Sequence, residues 1–178
     1  DIGLVRSMHH AAFDHAPGEL EMITGRDQPG RPSFGSWLTY GLGSESQNLP
    51  GYVALINHRG PVARSMAWGN GYLPSIHQGV LFRNQGEPVL NLDNPQGLSR
   101  RMQRESLDTL ARLNHERYLQ NGDPEIASRI AAYELAFRMQ AAVPDLVDVS
   151  DEPDHVFDLY GPTSRQKGTF AANCLLAR

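Results

Sequence analysis

The chain has a single cysteine, Cys174. No disulfide can form within it, and no framework of cross-links can stand in for a hydrophobic core. Long apolar runs are also missing. No stretch approaches the roughly 20 apolar residues that a bilayer span needs, so no membrane span is predicted. Basic charge is in short supply: Lys and Arg total 16 against 20 Asp and Glu, for a formal net charge of -4. With a pI of about 6.0, the chain lacks the electrostatic footprint of a nucleic-acid binder. Internal repeats and low-complexity tracts are absent. No signal peptide is visible at the start, and opening on Asp1 rather than Met implies processing or truncation upstream.

Turn formers are abundant, with 17 Gly and 12 Pro, mostly in the first half. A length of 178 residues suits one domain with a substantial core. The pattern predicts an α/β fold. Residues 1–92 read as a loop-rich α/β segment and residues 93–178 as mostly helical.

In the first half, "GLVRSM" (3–8) reads as a short buried strand, and "GYVALI" (51–56), after a Pro-Gly turn signal, as the best one. "EPVLNL" (87–92) is a further strand candidate. "PGELEMIT" (17–24) predicts a helix opened by Pro17, whose missing N–H would be unpaired there anyway, and stopped by Gly25. "PSFGSWLTYGLG" (32–43) predicts a second helix, with Ser33 near its start and Gly43 near its end.

In the second half, residues 97–122 place Leu98, Met102, Leu107, Leu110 and Leu113 roughly on one helical face. The interleaved arginines read as a solvated face, with Asp108 and Arg112 in the favourable i,i+4 order. Residues 122–144 form the clearest helix: Asp123 can cap it, Pro124 opens it, Ile126, Ile130, Tyr133 and Phe137 recur at helical steps, and Pro144 ends it. A shorter helix is expected over 150–161 and another from 169. The last one stops inside an apolar run bearing Phe170, Leu175 and Leu176, which predicts that the chain is a piece of a longer domain.

Candidate chemistry concentrates near the start. Asp14 and His15 immediately precede the first helix, and a helix N-terminus presents free N–H groups and partial positive charge to anions. A histidine there can act as a general acid, a metal ligand or a nucleophile. The plainer alternative is that Asp14 is an ordinary N-cap and His15 a turn residue. His9, His10 and His15, with Asp14, are ligand types that suit zinc or a similar ion, although their spacing matches no closed zinc motif. Neighbouring residues of a strand point to opposite faces, so at most one of His9 and His10 can share a site with His15. Arg26 and Arg31 can clamp an anion or pair with Asp27 and Glu45. The loop "AWGNGYLP" offers Trp68, Asn70 and Tyr72, either as a ligand lining or as surface packing. No Gly-rich phosphate loop, G-x-S-x-G elbow or H-E-x-x-H motif occurs.

The blocks "VRSMHHAAFDHAPGELEMITG", "RPSFGSWLTYGLGSES", "LPGYVALI", "WGNGYLPSIHQGV", "GDPEIASRIAAYELAFRMQ" and "FAANCLLAR" resemble, in order and over nearly the whole chain, the DUF1501 proteins, sulfatase-like members of the alkaline phosphatase superfamily. Such proteins are longer and carry export signals, so the resemblance implies a periplasmic or secreted location. It also implies a partial alkaline phosphatase/sulfatase-like sandwich around a largely parallel sheet. A divalent metal (zinc, calcium or manganese) would be held mostly by ligands outside this chain. Sulfatases show Cys-x-Pro-Ser-Arg, then a short helix ending in Thr-Gly. Counting back from Thr24-Gly25 puts His15 at the cysteine position and Pro17 at the proline, whereas Gly18 and Glu19 depart from Ser and Arg. The formylglycine precursor is therefore absent. Cys174 and Arg178 have the right separation but lack the proline, a coincidence.

The resemblance thus implies a segment of a metal-dependent hydrolase of anionic sulfate or phosphate esters, sulfated glycans included, with too few ligands to act alone. Asp14 and His15 would be catalytic, His9, His10 and His15 metal-facing, and Arg26, Arg31, Trp68, Asn70 and Tyr72 substrate-facing. The alternatives are a non-catalytic exported module that binds an anion, a glycan or a protein, and a helical interaction domain formed by residues 97–160.

Overall fold

The computed structural model describes residues 3–57 and 60–178. Among them the chain forms six α-helices and a two-stranded parallel sheet, in the order α1 (His15–Thr24), α2 (Phe34–Leu42), β1 (Val53–Leu55), β2 (Val80–Phe82), α3 (Arg100–Asn121), α4 (Pro124–Val147), α5 (Asp154–Tyr160) and α6 (Phe170–Leu176). Two short 3-10 turns, Arg64–Trp68 and Ser75–His77, lie between the strands. The expectation of a mixed α/β chain with a helical second half holds.

The strands pair in the register Val53–Val80, Ala54–Leu81, Leu55–Phe82. A ladder this short is marginal by itself, and both of its faces are covered. Ala54 and Leu81 pack against Leu20, Ile23, Ala63, Ala67 and Trp68, which puts α1 and the first 3-10 turn on one face. Leu55, Val80 and Phe82 pack against Met139, Val143 and Val147 of α4 on the other. Side chains alternate between the faces because the strand period is two. A third cluster joins α5 to α6 through Val156, Phe157 and Leu175.

Two expected strands are corrected. Residues 3–8 form no strand, and Leu4, Val5 and Met8 are exposed. An apolar hexapeptide becomes a strand only where a neighbour supplies ladder partners, and none of the described residues does so. Residues 87–92 make a turn instead, with Asn91 at a positive φ of 55° and the carbonyl of Pro88 accepting the Arg83 N–H at 2.8 Å. The second strand is Val80–Phe82, brought in by Gly79. A Cβ on Gly79 would lie 2.8 Å from Trp68 Cβ and 2.9 Å from Tyr52 Cε1. Any larger residue would push β2 off the turn beneath it.

Helix termini follow their caps. Gly25 and Gly122 end α1 and α3 in the left-handed region. The Ser99, Asp123 and Thr169 side chains accept first-turn amide hydrogen bonds of α3, α4 and α6. Pro144 does not end α4, which continues to Val147. Proline's φ is already helical, and Val143 and Val147 on either side of it pack in the Phe82 cluster, so burial carries the chain through.

The arginine face of α3 is exposed as expected except at Arg104. Asp108 pairs with Arg104 at 2.8 Å rather than with Arg112. The same Arg104 guanidinium grips Glu134 of α4 through both terminal nitrogens and lies 4.9 Å from the Phe137 ring centre, beside Arg100 at 4.5 Å. No residue of α3 is buried, and Met102, Leu110 and Leu113 of its expected apolar face are exposed. At the end of the chain, α5 covers Leu175 while Phe170 stays exposed.

Candidate functional site

Helix α1 begins at His15, two residues earlier than Pro17 would set it. Asp14 is the N-cap, in extended backbone, and its Oδ1 accepts the His15 N–H at 2.7 Å. The Asp14 carbonyl accepts the Gly18 N–H at 3.1 Å, closing the first turn. Pro17 sits at the third helical position, where its missing N–H leaves no orphan. The Asp14 carboxylate lies 3.7 Å from His15 Nδ1, and the two side chains are 76% and 85% exposed. The geometry bears out the plainer reading of Asp14 as an N-cap, whereas His15 is the first helical residue rather than a turn residue and projects into solvent.

The other ligand-type residues do not gather around them. The segment 8–11 is not a strand, so the expected alternation of His9 and His10 does not arise. His10 lies with its ring edge against Gly18, where a Cβ would stand 3.2 Å from its Cε1. Among the described residues, no three His, Cys, Asp or Glu side chains come together as a metal cluster. The donors present do not by themselves fit a divalent ion: two adjacent side chains, one already engaged as a cap, leave most of a coordination shell unfilled.

Arg26 and Arg31 lie past the other end of α1, on the negative side of the helix dipole. Ten residues at 1.5 Å rise put that end about 15 Å from His15. Arg31 lines a cavity of about 220 Å³ with Leu20, Thr24, Met66 and Gly69. Among the described residues, neither arginine pairs with Asp27 or Glu45.

The 67–74 loop divides between core and surface. Trp68 is buried against Leu20, so its ring is a structural plug. Asn70 donates its side-chain amide to the Leu73 carbonyl, shaping the loop. Gly71, at φ 54°, crosses so tightly that a Cβ would fall 2.3 Å from the Arg31 carbonyl carbon. The Gly69 carbonyl accepts from Ser33 N–H and from Ser36 Oγ, each at 3.0 Å, anchoring α2 beneath the loop. Tyr72 faces outward and meets Trp37 edge-on at 5.9 Å.

That contact belongs to a row that the sequence reading missed. Tyr72, Trp37, Tyr40 and His77 stand edge to face, with centroid separations of 5.9, 6.1 and 5.3 Å. Trp37 and Tyr40 are three apart on α2 and had to share a face; nothing local signalled His77, or that Tyr72, a candidate lining residue, would join them. Partial burial lowers the pKa of His77 from its ordinary 6.5 and so favours the neutral ring.

A family model described as "Protein of unknown function (DUF1501)" matches residues 1–178. This chain belongs to the DUF1501 family. Comparison of this DUF1501 chain with curated proteins and with solved structures found no match. No helix of the described residues is long and apolar enough to cross a membrane.

Proposed function

We propose that this DUF1501 chain is a segment of a sulfatase-like, metal-dependent hydrolase of sulfate or phosphate esters, exported to the periplasm or beyond, in which His15 meets the ester. One observation carries the reading. The helix that ends at Thr24-Gly25 starts at His15, the position of the sulfatase cysteine by that count. An exposed imidazole at a helix N-terminus is suited to contact an oxyanion or to hand a proton to a leaving oxygen. Asp14 sets a limit on the chemistry. Its carboxylate caps the same end and repels a bare anion, so a cation has to offset it, either a protonated His15 or metal ions held largely by ligands outside residues 1–178.

The test is a nuclear magnetic resonance titration of residues 1–178 with an aryl phosphate and an aryl sulfate, alone and with zinc, calcium or manganese. Amide shifts at Asp14, His15, Ala16 and Gly18 are expected, weakened several-fold in His15→Ala. Silence of those amides at millimolar ester under all four conditions would sink the reading.

A second reading, a non-catalytic glycan-binding module, is favoured by the row Tyr72–Trp37–Tyr40–His77, because exposed aromatic faces and edges suit sugar rings. It predicts shifts at these residues, with none at residues 14–18.

A further inference from the structure

A cavity of about 120 Å³ lies between the loop after β2, the end of α4 and the connection from α5 to α6. Its floor is apolar, made by Val147, Val149, Leu175 and Leu176. The charged side chains around it are Arg83, Arg165 and Lys167, and no carboxylate lines it. In a chain with four more acids than bases, a hollow lined by three cations and no carboxylate stands out, although Asp154 and Asp148 lie just outside the lining.

The walls are tied together across the sequence. Asn84 donates to the Thr169 carbonyl at 3.3 Å and Gln85 to the Lys167 carbonyl at 3.2 Å, clasping the two loops. Ser164, buried, donates to the Phe157 carbonyl at 2.9 Å. Arg83 is held through Nε, which donates to the Glu87 carbonyl at 3.0 Å, and its terminal nitrogens make no hydrogen bond or ion pair among the described residues. Arg165 lies over the Phe157 ring at 3.8 Å and pairs with Asp154. Lys167, the single lysine of the chain, makes no ion pair among the described residues. Asp148 competes for its charge from outside the lining.

We propose that this cavity binds a compact oxyanion, the sulfate or phosphate group of a free ion or small ester, between Lys167 and the terminal nitrogens of Arg83, with Arg165 as the third cation. Size selects the class: whole ligands of drug size occupy about 300–1,000 Å³, so 120 Å³ suits a headgroup. A planar guanidinium fork and a point-charge ammonium together match the oxygens of a tetrahedral anion. The apolar floor lowers the local dielectric and strengthens each contact. The site is independent of the α1 reading, since Asp14 and His15 do not line it.

The test titrates residues 1–178 with inorganic sulfate, inorganic phosphate and methyl phosphate against sodium chloride at constant ionic strength. Amide shifts and acylation of the Lys167 amine, read by mass spectrometry, report the site. Saturable shifts around residues 83–88 and 163–168 are expected, with Lys167 protected from acylation. Lys167→Gln, at an exposed position, should weaken binding at least tenfold and Arg83→Gln/Lys167→Gln should abolish it, while His15→Ala leaves it unchanged. Tighter binding of methyl phosphate assigns the site to esters, and tighter binding of inorganic phosphate to the free ion. Shifts that track ionic strength alone, or survive Lys167→Gln undiminished, would overturn the proposal. Loss of binding with His15→Ala would move the anion to α1 and overturn it as well.

Discussion

Around α1 and the 67–79 loop, glycines set the distances; along α3 and α4, side chains do. Gly71 and Gly79 let backbone pass within a few ångströms of Arg31, Trp68 and Tyr52, and the buried Ser33 and Ser36 hydroxyls meet each other at 3.0 Å and tie α2 to the crossing loop. The helical pair has no such approach. Arg104, Glu134 and Phe137 form its charged and aromatic seam, and α3 buries no residue fully. The first region tolerates almost no added volume. In the second, α4 buries Met139 and Val143 against β2, while the α3 side, with no buried residue, depends on keeping its charges matched. The candidate α1 site lies at the exposed end of the helix, away from those close contacts.

Gly71→Ala is the hardest test of this difference. A non-glycine residue at its positive φ is strained by about 1–3 kcal/mol, and overlap with the Arg31 backbone adds to that. Gly97→Ala, also at positive φ but with open space around it, should show the strain alone in urea unfolding. Equal losses for the two would break the claim that close backbone contact specifies the α1 side.

Glu134→Ala probes the other region. Removing one partner of a charged hydrogen-bonded pair should cost about 1.5–3 kcal/mol, and Arg104→Ala/Glu134→Ala should lose less than the sum of the two single changes. The hydrogen bond from Arg104, opposed by partial burial, holds the Glu134 carboxyl below its ordinary 4.5. Because the folded value is depressed, its contribution is present above about pH 4.5 and disappears as pH falls through the lower folded value. The variant should therefore lose part of the wild-type dependence of unfolding on pH below about 4.5.

Asp14→Ala should have the smallest effect, about 0.5–1 kcal/mol in thermal unfolding, since the carboxylate accepts only the His15 amide. The same change removes a negative charge beside His15. Tighter ester contact at residues 14–18 would sharpen the α1 reading, and no change would weaken the part given to the cap.

Much of the helical order was legible. Gly25, Ser33, Gly122 and Asp123 mark helix limits by rules local to a few residues. The strands were less so: Val53–Leu55 was found, Val80–Phe82 was missed, and residues 3–8 and 87–92 read as strands without being any. Strand identity depends on a partner distant in sequence, whereas a helix finds its hydrogen bonds four residues away. The site divides likewise. That Asp14 and His15 stand at a helix end could be read. That Arg26 and Arg31 lie at the opposite end, that Trp68 is buried, and that Tyr72 joins Trp37, Tyr40 and His77 could not.

By itself, then, the sequence determined most helix limits, though not the start of α1 or the end of α4, and the Asp-His pair at a helix tip, because each rests on spacing within one segment; the family rests on such segments recurring in order along the chain. Only the tertiary structure decided which apolar hexapeptide pairs, which arginines leave the solvent, and which cations share a hollow, because each depends on groups that approach in space from remote parts of the chain.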